Sequence, residues 1–375
     1  MASGRLRVGI VGLQPHRSWA ARAHIPALRS LSQSFELVGV ANSNKTSSEA
    51  AAASCGIPRA FANAVALAQS PEIDVVAVTV RVPGHREIVL AALDAGKHVY
   101  CEWPLGRSLA EAEELAALAR SRGVLAVIGT QARVAPAMVH LRRLIGEGYV
   151  GDVLSTSVSG WGRGWGASID SERESGYLLD AANGATLLSI PLGHTLAALR
   201  DVLGDLSSVA AVIENRRPHV LVENTGATLP MNAPDQVLVC GTLSSGAAFS
   251  IHYQGGLPRD GQGLIWTIHG TEGDLRVMGP SGHVQMMPLT LWGTRGAGTL
   301  EPIAMPDDCG FHDVIPGNVA KLYARMAADL SAGTRTAPDF DDAVQLHRVL
   351  AAIETSARTG QRVALDAPNR LLPGN

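Results

Sequence analysis

Long apolar runs, clustered cysteines and blocks of one charge are all missing from these 375 residues, and each absence closes off a class of protein. No stretch reaches the ~20 unbroken apolar residues of a membrane-spanning helix. The run from Leu6 to Gly12 has the length of a strand and lacks the core and cleavage box of a secretory leader, so a cytoplasmic chain with no membrane partner is expected. The cysteines (Cys55, Cys101, Cys240, Cys309) are scattered, with no Cys-x-x-Cys and no Cys/His cluster. Reduced thiols are the expectation, with neither a metal site nor a disulfide framework. No basic run accompanies the net charge of -3, so nucleic acid has no electrostatic footprint.

What is there is the composition of a compact chain, 46% hydrophobic and 17% charged, long enough for two cores. Apolar strand-length runs at 6–12, 36–41, 75–80, 98–101 and 125–129 alternate with helical patterns at 18–30, 46–55, 84–95 and 109–122. That alternation is the signal of a doubly wound parallel sheet, a Rossmann-type α/β domain, placed at 1–130. After a helix at 136–147 the texture changes. Strands are expected at 153–161, 207–215, 236–243, 247–254, 264–269 and 274–278, several with alternating polarity. Short turns at Ser244-Ser245-Gly246 and Gly270-Thr271-Glu272-Gly273 indicate hairpins. With closing helices at 314–332 and 341–358, residues 131–375 read as an α+β domain with a large, mostly antiparallel sheet. The run from Gly160 to Gly166 reads as a mobile loop.

The first strand–loop–helix unit is where chemistry is expected. A dinucleotide pyrophosphate needs backbone N–H groups at a helix N-terminus and glycines that let the chain approach. Gly9 and Gly12 are present, but Leu13-Gln14-Pro15-His16-Arg17-Ser18 replaces the later glycines, leaving Arg17 and Ser18 as phosphate donors or as ordinary loop residues. At the end of the second strand an acid normally takes the ribose hydroxyls and repels a 2′-phosphate. Here Asn42 stands there, followed by Ser43, Asn44 and Lys45. A neutral group and a cation tip the expectation toward NADP over NAD, although Ser43 or Asn44 also suits a helix cap.

The segment Gly96-Lys97-His98-Val99-Tyr100-Cys101-Glu102-Trp103-Pro104-Leu105, with Thr79-Val80-Arg81-Val82-Pro83-Gly84-His85 before it, resembles the Gfo/Idh/MocA oxidoreductases. Further segments match in order: Gln131-Ala132-Arg133, Gly148 to Val153, Gly193-His194, Gly270 to Leu275 and Ser356 to Gly360. The run from Gly12 to Trp19, the tryptophan after Glu102, Asn183-Gly184 and Gly193-His194-Thr195 are similar to the branch that includes the yeast galactose-pathway repressors. The resemblance implies dinucleotide contacts from Gly12, Leu13, Arg17, Ser18, Trp19, Asn42, Ser43, Lys45, Val80, Arg81, His85, Glu102, Trp103 and Arg133. It places substrate against Trp103, Arg133 and Asn183, while Trp165 in the glycine-rich run offers a flat aromatic face to a sugar ring or else closes an interface or core.

Two departures from the family pattern bear on catalysis. The family's lysine, which polarises a hydroxyl or carbonyl, is replaced by Trp103. Its aspartates around the histidine align with Ile190 and Ala197. Oxidising an alcohol still needs a base for the hydroxyl proton. His194 is that base or a core histidine, and Asp180 and Tyr177 are its candidate helpers, unless Asp180 and Asn183 are turn residues. The expected activity is NAD(P)-dependent hydride transfer to or from a sugar, cyclitol or related alcohol or carbonyl. The alternative is a regulator on the same fold that senses dinucleotide or metabolite without turnover. The exposed sheet face implies a homodimer or homotetramer.

Overall fold

The computed structural model describes residues 4–305 and 313–365, so Cys309 lies outside the described residues. The chain divides into two compact units, Met1–Val134 with Cys309–Val344, and Ala135–Asp308 with Gln345–Asn375. The helix Phe340–Thr359 begins in the first and ends in the second.

The first unit is built on six strands: β1 (Leu6–Val11), β2 (Phe35–Ala41), β3 (Arg59–Phe61), β4 (Val75–Val78), β5 (His98–Glu102) and β6 (Ala126–Gly129). They lie in the order β3-β2-β1-β4-β5-β6 with every neighbouring pair parallel. Strands covered on both faces must be apolar throughout, and β4 (Val-Val-Ala-Val) and β6 are buried at every residue. Strand order reverses between β1 and β4, the switch point outside which open α/β sheets place ligands.

Local chemistry starts the helices where the sequence predicts. The Asn44 side chain accepts from Ser47 N to open Lys45–Cys55, and Ser108 accepts from Glu111 N to open Leu109–Arg122. The helix expected at 18–30 is a turn of π-helix, Ala20–His24, running into Ile25–Ser30. Strand β3 was not expected: three edge residues after Pro58 are too few to show a period. The helix Val314–Ala332 returns to this unit and packs Val319, Leu322, Tyr323 and Met326 into the core around Val8, Ile10 and Tyr100.

The second unit contains β7 (Val153–Gly162), β8 (Ser168–Ile169), β9 (Leu206–Glu214), β10 (His219–Val222), β11 (Thr228–Pro230), β12 (Gln236–Leu243), β13 (Ala248–Gly255), β14 (Leu264–Gly270), β15 (Gly273–Gly279), β16 (Thr290–Arg295), β17 (Glu301–Ile303) and β18 (Val363–Ala364). Nine of them form one sheet, β17-β16-β15-β14-β7-β13-β12-β9-β18, antiparallel except where β7 meets β13. The predicted hairpins are there, β12 with β13 and β14 with β15. A second, three-stranded sheet, β11-β10-β8, was not expected because its strands are two to four residues long. Along β12, Val237, Val239 and Leu243 point into the core while Leu238 and Cys240 are exposed. With Val212, Ser250 and His252 they line an open groove of about 540 Å³ on the outer face.

The glycine-rich run is not the loop expected. Gly160 and Gly162 lie in β7, and a single 3-10 turn, Arg163–Trp165, follows. A Cβ on Gly160 would sit 2.3 Å from the Tyr253 ring, one on Gly162 2.5 Å from Leu187, and one on Gly166 2.6 Å from the Gly256 Cα. The glycines answer a need for space at close packing, and Trp165 beside them is 1% exposed.

Candidate functional site

In the first unit, β1 is followed by Gly12 with φ +101°, a conformation that suits glycine. A Cβ there would lie 2.6 Å from Val80 Cγ1 and 3.0 Å from Val80 N, so only glycine lets the β1 loop come this close to the end of β4. Asn42 has a specific role in the loop. Its Oδ1 accepts from Leu13 N at 2.8 Å, and its Nδ2 donates to Leu13 O at 2.9 Å and to Ser47 O at 3.1 Å. The residue expected opposite a ribose therefore clamps the β1 loop to the end of β2. Ser18 Oγ accepts from Gln14 N at 3.0 Å and donates to Gln14 O at 2.9 Å, closing the loop on itself. Trp19 packs against the core with Nε1 buried and unpartnered. Arg17, Ser43, Lys45 and Arg81 are exposed, and Lys45 Nζ lies 3.7 Å from Glu49. A glycine cradle at the switch point with polar and cationic side chains around it fits a dinucleotide.

Beside this loop, His85 is buried with Nε2 3.0 Å from Val80 O and Nδ1 2.8 Å from Pro104 O, tying β4 to the cis Trp103-Pro104 turn. Burial pushes its imidazole pKa down. Trp103 is 4% exposed. Glu102, at the end of β5, accepts from His24 Nε2 and from Gln131 Nε2, both at 2.8 Å. His24 Nδ1 meets Tyr323 OH at 2.9 Å, and Tyr323 stacks on Tyr100 with centroids 4.6 Å apart. Burial pushes both phenols well up, so they stay protonated. Arg133 pairs with Asp342 at 2.7 Å.

The second unit holds a cavity of about 460 Å³ whose lining includes Trp165, Asp170, Tyr177, Ile190, Glu223 and His283. Tyr177 and Trp165, both among the candidate site residues, line it together, whereas His194 is not among the lining residues. Trp165 offers no open ring face, since the His283 ring lies parallel to it at 6.4 Å and its Nε1 donates to Leu178 O at 3.1 Å. Asp180 and Asn183 are occupied elsewhere. Asp180 Oδ1 accepts from Ala182 N at 3.1 Å and from Asn232 Nδ2 at 3.0 Å, and Asn183 Nδ2 donates to Tyr177 O at 2.8 Å. The Asp180–His194 pair weighed from sequence is not formed. These two residues shape the turn before the helix Gly193–Leu203.

His194 is 3% exposed, and burial, with His283 nearby, pushes its pKa down to about 3. Burial likewise holds His283 at about 4. Both imidazoles are neutral across the ordinary pH range, which makes His194 a weak base for the expected proton abstraction. In each ring Nδ1 is buried without a partner. A buried unpaired N–H costs more than a bare lone pair, so the hydrogen belongs on Nε2, the nitrogen that retains access. A neutral imidazole with an outward N–H is a hydrogen-bond donor to an oxygen. His283, Asp170 and Glu223 went unnoticed in the sequence because no spacing connects them to each other or to His194. Among the described residues there is no metal-binding cluster, and no helix is long and apolar enough to cross a membrane.

Residues 6–130 match the family model of an oxidoreductase family with an NAD-binding Rossmann fold (GFO_IDH_MocA), and residues 136–279 match that of the Gal80p C-terminal domain. The chain belongs to this oxidoreductase family, as its motifs implied, and carries the Gal80p type of second domain. It is 34% identical over 78% of its length, and 67% of the relative's, to the galactose/lactose metabolism regulatory protein GAL80 of Kluyveromyces lactis. It is 30% identical to the dehydrogenase aclE of Aspergillus oryzae, over 96% of this chain and 98% of that one. Among solved structures, a super-repressor mutant of Gal80p from Saccharomyces cerevisiae superposes with TM-score 0.88 at 27% identity, covering 96% and 98% of the two chains. A levoglucosan dehydrogenase in complex with NADH and levoglucosan shares the fold, with TM-score 0.80 at 19% identity over 97% and 100%.

Proposed function

We propose that the chain is a cytoplasmic NAD(P)-dependent oxidoreductase of a sugar, cyclitol or related alcohol or carbonyl. Residues 1–130 would hold the dinucleotide and residues 131–375 the substrate. The observation that carries this reading is the cavity of the second unit, lined by Tyr177 and by the buried neutral imidazole of His283, with His194 close enough to His283 for the two rings to influence each other. The dinucleotide, when bound, supplies the hydride donor or acceptor. Gly12, Leu13, Arg17, Ser18 and Trp19 would hold its phosphates and the adjoining ribose. Asn42, Ser43 and Lys45 would meet the adenosine ribose, and Val80, Arg81, His85, Glu102, Trp103 and Arg133 the nicotinamide end. NADP is favoured over NAD because no carboxylate is present at Asn42 to repel a 2′-phosphate.

In the substrate unit, His194 would donate from Nε2 to the reacting oxygen, and Tyr177 would line the cavity. Asp180 and Asn183 would set the shape of that wall through the bonds they make. A neutral imidazole that polarises a carbonyl suits reduction better than oxidation, since it has little basicity to take up a hydroxyl proton. The outer sheet face, with exposed Val212, Leu238 and Cys240, supports a homodimer or homotetramer. Leu238→Glu should shift the species seen by sedimentation toward monomer.

The deciding experiment offers the purified protein neutral sugars and cyclitols with NAD+ and NADP+, and the matching ketoses with the reduced cofactors, and follows nicotinamide absorbance. Turnover supports an enzyme. Tight dinucleotide binding with no turnover in either direction would establish the second reading, a sensing regulator. That reading is favoured by Trp103 at the family's lysine position and by His194 having no acid partner.

A further inference from the structure

We infer that the cavity of the second unit selects an uncharged, oxygen-bearing ligand that accepts a hydrogen bond from His283 Nε2, and discriminates against phosphorylated or carboxylated counterparts. This rests on the reading of the cavity as the substrate site. His283 is placed by packing that leaves its ring little freedom. Its ring stacks on Trp165, its backbone N donates to Ser281 Oγ at 3.3 Å, and Gly282 before it sits where a Cβ would meet the Tyr253 ring at 2.7 Å and the Trp161 backbone at 2.8 Å. Tyr253 OH donates to Gly282 O at 2.9 Å and locks the turn. The ring therefore presents one donor, Nε2–H, to the cavity, with Nδ1 sealed behind it.

The charges around that donor decide what it can meet. Among the described residues, the lining holds two carboxyls, Asp170 and Glu223, and one cation, Arg163. Arg163 pairs with Asp170 at 3.2 Å, and Ser168 Oγ donates to Glu223. With Arg163 compensated and the His283 imidazole held neutral by burial, the lining carries a net negative charge. A phosphate or carboxylate entering would lose water and find no uncompensated cation, whereas a hydroxyl or carbonyl oxygen needs only the neutral donor.

The test measures binding by calorimetry, with and without NADH, for matched pairs of probes: glucose with glucose 6-phosphate and with glucuronate, and myo-inositol with its monophosphate. The neutral member should bind at least tenfold more tightly in each pair that binds. Asp170→Asn with Glu223→Gln should narrow that ratio severalfold, and Arg163→Gln, which leaves Asp170 uncompensated, should widen it. His283→Phe, which keeps a ring against Trp165, should weaken neutral binding tenfold or more, with partial recovery in His283→Gln. Equal or tighter binding of charged members, or no effect of His283→Phe, overturns the inference and leaves the substrate-site reading standing. If no probe of either kind binds, both fall.

Discussion

The two units treat their buried histidines in opposite ways. In the first, His24 and His85 have both ring nitrogens within 3.0 Å of a partner: Tyr323 and Glu102 for one, the Pro104 and Val80 carbonyls for the other. In the second, His194 and His283 each leave Nδ1 buried with nothing to bond. A buried polar atom without a partner is costly, and native structures tolerate few of them. Satisfied imidazoles are fastened into the scaffold. An open nitrogen alone does not mark a site, since His140 Nε2 in the second unit is also buried without a partner, but at His283 it coincides with a cavity wall.

The largest expected effect that tests this contrast is on catalysis. If the chain turns over, His194→Ala should lower kcat by roughly 10²–10³, the usual loss on removing a positioned donor, while dinucleotide affinity measured by fluorescence stays near wild type. The kcat profile of the wild type should be flat between pH 5 and 8, because burial moves the His194 titration down to about 3. A rise through the ordinary imidazole range would show that His194 is not the group handling the proton. Near wild-type turnover in a folded His194→Ala protein would transfer the role to Tyr177.

His24→Leu should instead act on stability. It removes two hydrogen bonds at once and leaves Glu102 with Gln131 alone, a loss of about 3–5 kcal/mol by analogy with breaking buried paired groups. Denaturant unfolding would show it, and His194→Phe under the same conditions should cost less than about 1 kcal/mol, since an unpaired polar atom is exchanged for an apolar one. Equal losses for the two variants would erase the distinction between the units.

A smaller effect appears in the pH dependence of folding. His194 and His283 have native pKa values of about 3 and 4 against an ordinary 6.5, so the unfolded chain takes up protons that the native state refuses. Their contribution is fully present above about pH 6.5 and is lost as pH falls through 4 toward 3. Equilibrium unfolding between pH 7 and 4 should be less steep in His194→Phe with His283→Phe. The slope that remains belongs to His85, His98, His140 and His252, all of which burial also lowers, and toward pH 4 to carboxyls that hydrogen bonds hold low, such as Asp74 and Asp329. An unchanged slope would mean that the two rings are not titrating groups in this window.

The smallest effect is expected at the dinucleotide loop. Lys45→Glu should weaken NADP binding severalfold and leave NAD nearly unchanged, since Lys45 is exposed and offsets only a solvated Glu49. Equal losses for both cofactors in calorimetry would remove Lys45 from the 2′-phosphate.

Legibility differed between the units for physical reasons. Local rules show in residue order, so the apolar runs of β1, β2, β4, β5 and β6, a helix cap at Ser43 or Asn44 and the hairpins around Gly246 and Gly273 could all be read directly. Short edge strands such as β3, β8, β10 and β11 carry no period to detect. Asn42 was noticed for the charge it lacks, yet its bonds to Leu13, 29 residues away, could not be seen.

By itself the sequence determined the parallel sheet, the mostly antiparallel second sheet and the glycine at the switch point, because periodicity, burial and backbone conformation follow from neighbouring residues. Only the tertiary structure decided that the glycines from 160 to 166 make room for Tyr253 and Leu187, that Asp180 serves Asn232 and not His194, and that His283 joins Trp165 at the cavity wall. Those facts depend on atoms brought together from distant parts of the chain. The desolvation that keeps the two histidines neutral arises only once that packing is complete.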